Sequence, residues 1–275
     1  MRRQYVLVVG SLVGACFATA LLLSFLSSKP VLHAAPQTLS TEHRVCLSSC
    51  AYTSVQAAVD AAHAGDVIKV AQGTYTDVHA RGGLNEVVYV SKTITILGGY
   101  TTTNWITSHP ITQPTNLDAL GFGRGLVITG SITASIDGLH VTGGDAAGLG
   151  GWHWGNAGGG MYVHQAAVTV SNCLIYSNAA NATIDDIGGG VYLYNSGATL
   201  RSNVVISNVA SGGGGILVHH SDATLNGNIV TANTSGYNGG GVFLYFGDNA
   251  SLGSNIVMSN TAGWHGGGVF LFHSD

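Results

Sequence analysis

The stretch Gly188-Gly189-Gly190-Val191-Tyr192-Leu193-Tyr194 decides the fold, because it is one of five copies of a triple glycine followed by a strand-like segment. The residues directly after the glycines are Met161, Val191, Ile216, Val242 and Val269, spaced 30, 25, 26 and 27 apart. A second landmark follows the same period: apolar triplets that begin at Cys173, Asn203, Asn228 and Asn255 and end at Asn178, Asn208, Asn233 and Asn260. Two markers with one drifting period indicate that each unit is one structural turn.

Each turn consists of short strand-like segments separated by Gly, Asn and Ser, without a segment long enough for a helix. After the glycines, Val191 and Leu193 alternate with Tyr192 and Tyr194, and the aliphatic pair recurs in all five copies. We therefore expect the aliphatic pair to face inward and to pile up at ~4.8 Å per turn in a parallel stack. The recurring asparagines are expected to form amide ladders and to adopt the left-handed backbone at corners, while glycine relieves strain at the other corner.

The residues before the repeats are expected to cover the open end of the stack. The run TSVQ (53–56) has a capping-box pattern, and apolar residues at helical spacing follow it until Gly65. Strands are predicted at 67–70, 87–90 and 93–97. Residues 36–52 are interpreted as an exposed lead-in, and 53–275 as the repeat domain.

The N-terminus has the pattern of an export signal. Arg2 and Arg3 precede an apolar run over 5–26, after which the chain becomes polar. Residues 1–35 are therefore interpreted as a signal peptide, with cleavage near 32–35, or as an uncleaved signal anchor. Either reading predicts a secreted or cell-surface protein that contacts a membrane only through this segment, if it is uncleaved.

Composition excludes several partner classes. From residue 36 onward, six Lys and Arg oppose all thirteen Asp and Glu, a formal net charge of −7. Nucleic acid and anionic lipid headgroups are therefore not expected as partners. The pair Cys46 and Cys50 is a disulfide candidate in an oxidising compartment, and it lacks the second pair of ligands that a structural metal site needs.

The N-terminal part of the repeat domain resembles a known superfamily. The runs SVQAAVDAA (54–62), GDVIKV (65–70) and GTY (73–75) are similar to the start of the pectin-lyase-like superfamily, particularly bacterial right-handed β-helix repeat proteins. The resemblance covers roughly residues 53–275 and implies an all-β, right-handed parallel β-helix with a short N-terminal capping helix. It does not fix an activity, because this superfamily includes lyases, hydrolases, adhesins and noncatalytic stalks.

The chemistry of those enzymes finds little support in the chain. A lyase of the superfamily is expected to use Arg or Lys beside Ca²⁺, yet from residue 93 onward only Arg124 and Arg201 carry a permanent positive charge. A hydrolase needs carboxylates on one face, and the only adjacent pair, Asp185-Asp186, is interpreted as a solvated loop. No catalytic residue is assigned, and an enzyme of either class remains the alternative.

Two stacked columns are candidate sites. Asp222, Asp248 and Asp275 take the sixth position after the first post-glycine residue in three successive units, which suggests either turn-forming aspartates or a Ca²⁺ site. Outward-facing aromatic residues form the second candidate, either a polysaccharide platform or rings that stack on one another and stiffen the sheet. The proposed carbohydrate-binding residues are Tyr162, Tyr192, Tyr194, Phe243, Tyr245, Phe270, Trp152, Trp154 and Trp264.

These observations favour an exported, noncatalytic surface or extracellular protein that serves as a scaffold, an adhesin or a polysaccharide-binding surface. A polysaccharide or a cell-envelope component is the expected partner, and no cofactor is expected apart from the Ca²⁺ hypothesis. The last run, LFHSD (271–275), ends within a turn that an earlier copy continues, so we expect a longer repeat array or a covered end.

Overall fold

A computed structural model describes residues 40–273, apart from 82, 152, 154, 181–184, 247 and 248. The predictions for the export segment, Trp152, Trp154, Asp248 and Asp275 lie outside these residues. Within them the chain forms one helix, α1 (Val55–Ala61), and a long series of short strands.

The strands of the first four turns are β1 (Glu42–Val45), β2 (Val67–Ala71), β3 (Gly73–Tyr75), β4 (His79–Arg81), β5 (Leu84–Val90), β6 (Thr95–Tyr100), β7 (Thr115–Asp118), β8 (Arg124–Thr129), β9 (Thr133–Asp137), β10 (Leu139–Thr142) and β11 (Met161–His164). The next two turns contain β12 (Ala167–Ser171), β13 (Leu174–Tyr176), β14 (Ala179–Ala180), β15 (Val191–Tyr194), β16 (Ala198–Arg201), β17 (Val204–Ile206), β18 (Val209–Gly212) and β19 (Ile216–His219). The last two contain β20 (Thr224–Asn226), β21 (Ile229–Thr231), β22 (Thr234–Asn238), β23 (Val242–Tyr245), β24 (Ser251–Gly253), β25 (Ile256–Met258), β26 (Thr261–Ala262) and β27 (Val269–Phe272).

From the third turn onward, each turn contributes one strand to each of three long sheets. Sheet A has the order β1-β2-β6-β9-β12-β16-β20-β24, sheet B the order β3-β7-β10-β13-β17-β21-β25, and sheet C the order β4-β5-β8-β11-β15-β19-β23-β27. A shorter sheet D, β14-β18-β22-β26, lies between sheets B and C in the later turns. Among the described strands only β4 and β5 pair antiparallel. The predicted all-β parallel solenoid with one short N-terminal helix is confirmed.

The aliphatic pair of the repeat forms the core on the inner side of sheet C. Val191 and Leu193 are fully buried and stand in register with Met161 and Val163 of the preceding turn. The same register continues through β19, β23 and β27. The inward orientation predicted from the alternation is therefore confirmed.

Buried amide ladders run along the solenoid axis, as predicted. The Asn208 side-chain Nδ2 donates to Asn233 Oδ1 (3.0 Å) and to the Ile175 carbonyl (3.0 Å). Its Oδ1 accepts from the backbone N–H and the Nδ2 of Asn178, each at 3.0 Å. The ladder through Asn203, Asn228 and Asn255 repeats this arrangement. Every donor and acceptor of the Asn208 amide is thus satisfied inside the protein.

The predicted left-handed backbone of the ladder asparagines is wrong. At these corners the positive φ belongs to the residue before the ladder position, as at Ser207, whose φ is 57°. The residues with this conformation are Asn172, Ser177, Ser202, Ser207, Gly227, Ala232, Ser254 and Ser259. The ladder needs the backbone N–H of each asparagine to face the next turn, so the sharp bend falls on the residue before it. Glycine does occupy the other corner as predicted, since φ of Gly188 is 66°.

The N-terminal segment differs from its prediction in two respects. The lead-in is part of sheet A, because β1 pairs in parallel with β2 and Val45 is fully buried. The capping box does not form: Ser54 is the N-cap without a side-chain bond, and Gln56 instead bonds the backbone of Tyr89 through Oε1 (2.6 Å). The helix packs against β5, β1 and β2, so it does cover the first turn of the core.

Candidate functional site

The first outward column of sheet C is buried. We call column 1 the residues Tyr162, Tyr192, Leu217, Phe243 and Phe270, which are in register on β11, β15, β19, β23 and β27. Tyr192 is 0% exposed, and the column forms an apolar cluster separate from the main core. The predicted exposure of Tyr162, Tyr192 and Phe243 is therefore wrong.

The cover over column 1 comes from the segments that precede the triple glycines. Ile187 packs against the cluster. The Tyr162 hydroxyl donates to the Gly151 carbonyl at 3.2 Å. The chain therefore passes over sheet C before each glycine corner, and this return path buries rings that point away from the solenoid axis.

The second outward column is a continuous stack of rings. Column 2 comprises His164, Tyr194, His219, Tyr245 and Phe272. Its successive ring centroids are 5.2, 4.9, 4.9 and 5.4 Å apart, with interplanar angles of 8°, 19°, 39° and 25°. Each ring turns its face toward the next ring of the column along the axis. Mainly the ring edges are therefore exposed to solvent. The rings inside this column are accordingly better suited to stiffening the sheet than to stacking on a sugar.

A third ring column was missed in the sequence. His220, Phe246 and His273 follow column 2 directly, and their rings stack at 5.2 and 5.0 Å. All three have positive φ, between 45° and 51°. The signal was available, since the steps between these residues equal the repeat spacing, but the side chains at a corner cannot be oriented from alternation alone.

His219 of column 2 contacts Tyr192 of column 1. Its Nδ1 lies 2.8 Å from the hydroxyl of Tyr192, and the imidazole is almost fully buried between Tyr194 and Tyr245. Burial lowers the pKa of His219 to about 4, and the nearby His220 makes a smaller contribution in the same direction. Burial also lowers the pKa of His164 in the same column. The neutral imidazole is thus the form that the folded protein accommodates.

We expect the contribution of His219 to stability to be lost between pH 6.5 and about pH 4. In this window the unfolded chain binds a proton at His219 that the folded chain excludes, so the free energy of unfolding falls as the pH falls. A shift from 6.5 to about 4 corresponds to a loss of about 3 kcal/mol. Urea denaturation of the parent and of His219→Phe at several pH values checks this. The variant should lose less stability in acid, and an identical acid loss would contradict the assignment.

Three of the predicted aromatic residues meet in one exposed groove. A cavity of about 350 Å³ lies between sheet C and the segments that precede the glycine corners. Tyr237 and Trp264 form one wall with an edge-to-face contact at 4.6 Å, and Trp264 is 68% exposed. The lining residues are Asp185, Ile187, Ser211, Gly212, Leu217, Tyr237, Asn238, Phe243, Tyr245 and Trp264. Of the proposed carbohydrate-binding residues, Phe243, Tyr245 and Trp264 are therefore brought together, whereas Tyr162, Tyr192, Tyr194 and Phe270 do not line the groove.

The two adjacent aspartates have different environments. Asp186 is fully buried, and its Oδ1 accepts hydrogen bonds from the Asn156 backbone N–H (2.8 Å) and Nδ2 (2.9 Å). Interpreting Asp186 as solvated is therefore wrong, because it organises the loop that carries Asn156. Asp185 is exposed and lines the aromatic groove.

The aspartate column can be followed only at Asp222. This side chain is exposed, and its Oδ1 accepts a hydrogen bond from Asn249 Nδ2 at 3.0 Å. It lies with His220 in a polar depression at the corner between sheets C and A. Within the described part of the chain no three His, Cys, Asp or Glu side chains cluster as metal ligands. The Ca²⁺ hypothesis stays a prediction.

The cysteines take two different roles. Cys46 and Cys50 form a disulfide with their Cα atoms 5.6 Å apart, at the end of β1. Cys173 is buried and reduced, and its backbone N–H donates to Asn203 Oδ1 at 3.0 Å, so it begins one amide ladder. Burial raises the pKa of its thiol to about 12, which leaves it unreactive.

Comparison with known proteins gives a family match over the repeat turns. The model of the family described as a right handed beta helix region matches residues 121–275. No curated protein matches the chain. Among the described residues, no helix has the length and apolar character required to cross a bilayer.

Proposed function

Because the chain belongs to the right-handed β-helix family, we propose that it is an exported, noncatalytic surface or extracellular protein that binds polysaccharide in the groove of Tyr237, Phe243, Tyr245 and Trp264. In this proposal the solenoid is the scaffold, and the groove is the ligand-binding surface. The export signal read at residues 1–35 supports a secreted or cell-surface location.

The exposed indole of Trp264 is the observation that carries this proposal. In the edge-to-face pair with Tyr237, one ring turns its edge to the face of the other, and Trp264 keeps 68% of its surface exposed. Aromatic faces suit the apolar faces of sugars, and Ser211 and Asn238 add polar residues to the lining. A concave aromatic surface with a few polar groups is typical of a ligand site.

The positions of the arginines support a noncatalytic reading. Arg124 is fully buried and donates to the carbonyls of Ala157 (2.8 Å) and Gly150 (2.7 Å), so it is out of reach of a sugar. Arg201 is exposed on β16 of sheet A, not in the groove lining. Neither therefore offers the base that a lyase of this superfamily is expected to use.

Binding should depend on Trp264. We expect Trp264→Ala to weaken retention on an immobilised polysaccharide by about tenfold, because it removes the most exposed ring of the groove. Phe122→Ala is the matched control, since Phe122 is 71% exposed and does not line the groove. Affinity electrophoresis through a panel of plant and bacterial polysaccharides measures the effect. Equal losses in both variants, or no retention of the parent, would contradict the proposal.

The same panel separates binding from cleavage. The alternative function, a polysaccharide lyase or a glycoside hydrolase, predicts that unsaturated or reducing sugar ends accumulate during incubation. Binding without any release of sugar ends is the expected result.

A further inference from the structure

The charge of the repeat turns constrains what the groove can bind. From residue 125 to 275 the sequence contains seven aspartates and a single permanent cation, Arg201. The groove lining includes Asp185 and no lysine or arginine. A polymer that carries a carboxylate on every sugar would therefore meet repulsion both in the groove and from the surrounding surface.

The aromatic rings of the groove favour a positively charged ligand. Tyr237, Phe243, Tyr245 and Trp264 line one cavity, with ring contacts of 4.6 Å between Tyr237 and Trp264 and 5.5 Å between Phe243 and Tyr245. Aromatic faces carry partial negative charge and attract cations, most strongly when the cation is partly desolvated. The rings of Tyr237 and Trp264, in the same lining as the Asp185 carboxylate, favour an ammonium group over a neutral or an anionic one.

We infer that the groove selects glycans that carry an ammonium group, such as polymers of amino sugars with free amines, and rejects polyuronates. This inference rests on the proposed polysaccharide binding and adds the chemical class of the ligand. Asp185 supplies the formal charge, and the rings of Tyr237 and Trp264 supply the aromatic faces, because Phe243 is buried and Tyr245 is stacked within column 2. A quaternary ammonium substituent would satisfy the same chemistry without belonging to the sugar itself.

The test compares ligands of equal length that differ in one group. The preference for the ammonium group is measured by calorimetric titration of the full chain with a β-linked glucosamine oligomer, its N-acetylated counterpart and an oligouronate. Titration with choline tests the aromatic site without a sugar. We expect the free amine to bind about tenfold more tightly than the acetylated oligomer, with no detectable oligouronate binding. Raising the salt from about 50 mM to about 500 mM should reduce this preference.

Two charge-matched variants locate the selectivity. Asp185→Asn should reduce the preference for the amine several-fold and leave the affinity for the acetylated oligomer unchanged. Asp222→Asn makes the same charge change at an exposed aspartate outside the groove lining, and it should retain the preference. Equal effects of the two substitutions would overturn the role of Asp185.

The remaining outcomes separate the two proposals. If neutral or acidic oligomers bind as tightly as the amine, ammonium selection is wrong and polysaccharide binding stands. If no oligomer binds, the polysaccharide function fails. Choline binding that Trp264→Ala and Asp185→Asn both weaken would still support the ammonium site in that case, whereas absence of choline and oligomer binding overturns both.

Discussion

Asn208→Ala is expected to lower the free energy of unfolding by about 3–5 kcal/mol, because the side chain is a fully buried member of an amide ladder. The substitution removes four hydrogen bonds at once. It takes the Asn208 donor from the Ile175 carbonyl and the Asn208 acceptor from the Asn178 backbone N–H. Asn178 Nδ2 keeps only its bond to the Val141 carbonyl, and Asn233 Oδ1 keeps only the backbone N–H of residue 208. Unsatisfied buried groups cost more than the net value of the bonds themselves.

Urea denaturation followed by circular dichroism measures this loss. Asn226→Ala is the control, since Asn226 is an exposed asparagine on β20 and should change stability by at most about 0.5 kcal/mol. Similar losses for the two variants would mean that the ladder contributes no more than a surface amide, and the role assigned to it would be wrong.

The success of the ladder prediction has a simple physical cause. Residues that recur at the period of a solenoid must lie in register, so their mutual contacts follow from spacing alone. Val191 and Leu193 are inward for the same reason, since alternation within a strand fixes which side chains share a face. Spacing and alternation could not show which corner residue has the positive φ, because both Ser207 and Asn208 tolerate a left-handed backbone. Only the direction of the Asn208 N–H, which bonds Asn233 Oδ1, decides between them.

The aromatic site was predicted less well, because pointing away from the axis is not the same as being exposed. Tyr192 faces outward, yet the segment carrying Ile187 covers it, and no period in the sequence marks that path. Asp186 shows the same limit, since its burial depends on Asn156 from the preceding turn. Trp264 is exposed and lines the groove with Phe243 and Tyr245, and its assignment to carbohydrate binding stays a prediction.

The chain also contains a buried cation that its sequence did not explain. Arg124 lies on β8 beside Glu86 of β5, both are 0% exposed, and no direct bond joins them. Both carboxyl oxygens of Glu86 and Nη1 of Arg124 have no hydrogen-bond partner among the described residues. The guanidinium also lies over the Tyr162 ring at 4.9 Å. Arg124 thus ties the loop at Gly150 and Ala157 to sheet C.

The ionisation of this pair sets a pH dependence opposite to that of His219. Burial raises the pKa of Glu86 to about 7, against the opposing attraction of Arg124 and of Arg81 on β4, where His79 also faces it in register. Because the folded protein binds this proton more tightly than the unfolded chain, the stabilisation is complete below pH 4.5 and is lost as the pH rises through about 7. Burial lowers the pKa of Arg124 to about 10, so it stays charged at neutral pH.

Arg124→Leu is therefore expected to cost about 3–5 kcal/mol, because it leaves the Ala157 carbonyl without this donor, removes one of the two donors to the Gly150 carbonyl, and takes from Glu86 the cation that most lowers its pKa. The loss should grow between pH 6 and pH 8, since removal of the guanidinium raises the pKa of Glu86 further. Urea denaturation across this range tests both statements. Adding Glu86→Gln to Arg124→Leu should abolish the pH-dependent part and restore some stability. A double variant with the same pH slope as Arg124→Leu would show that Glu86 is not the titrating group.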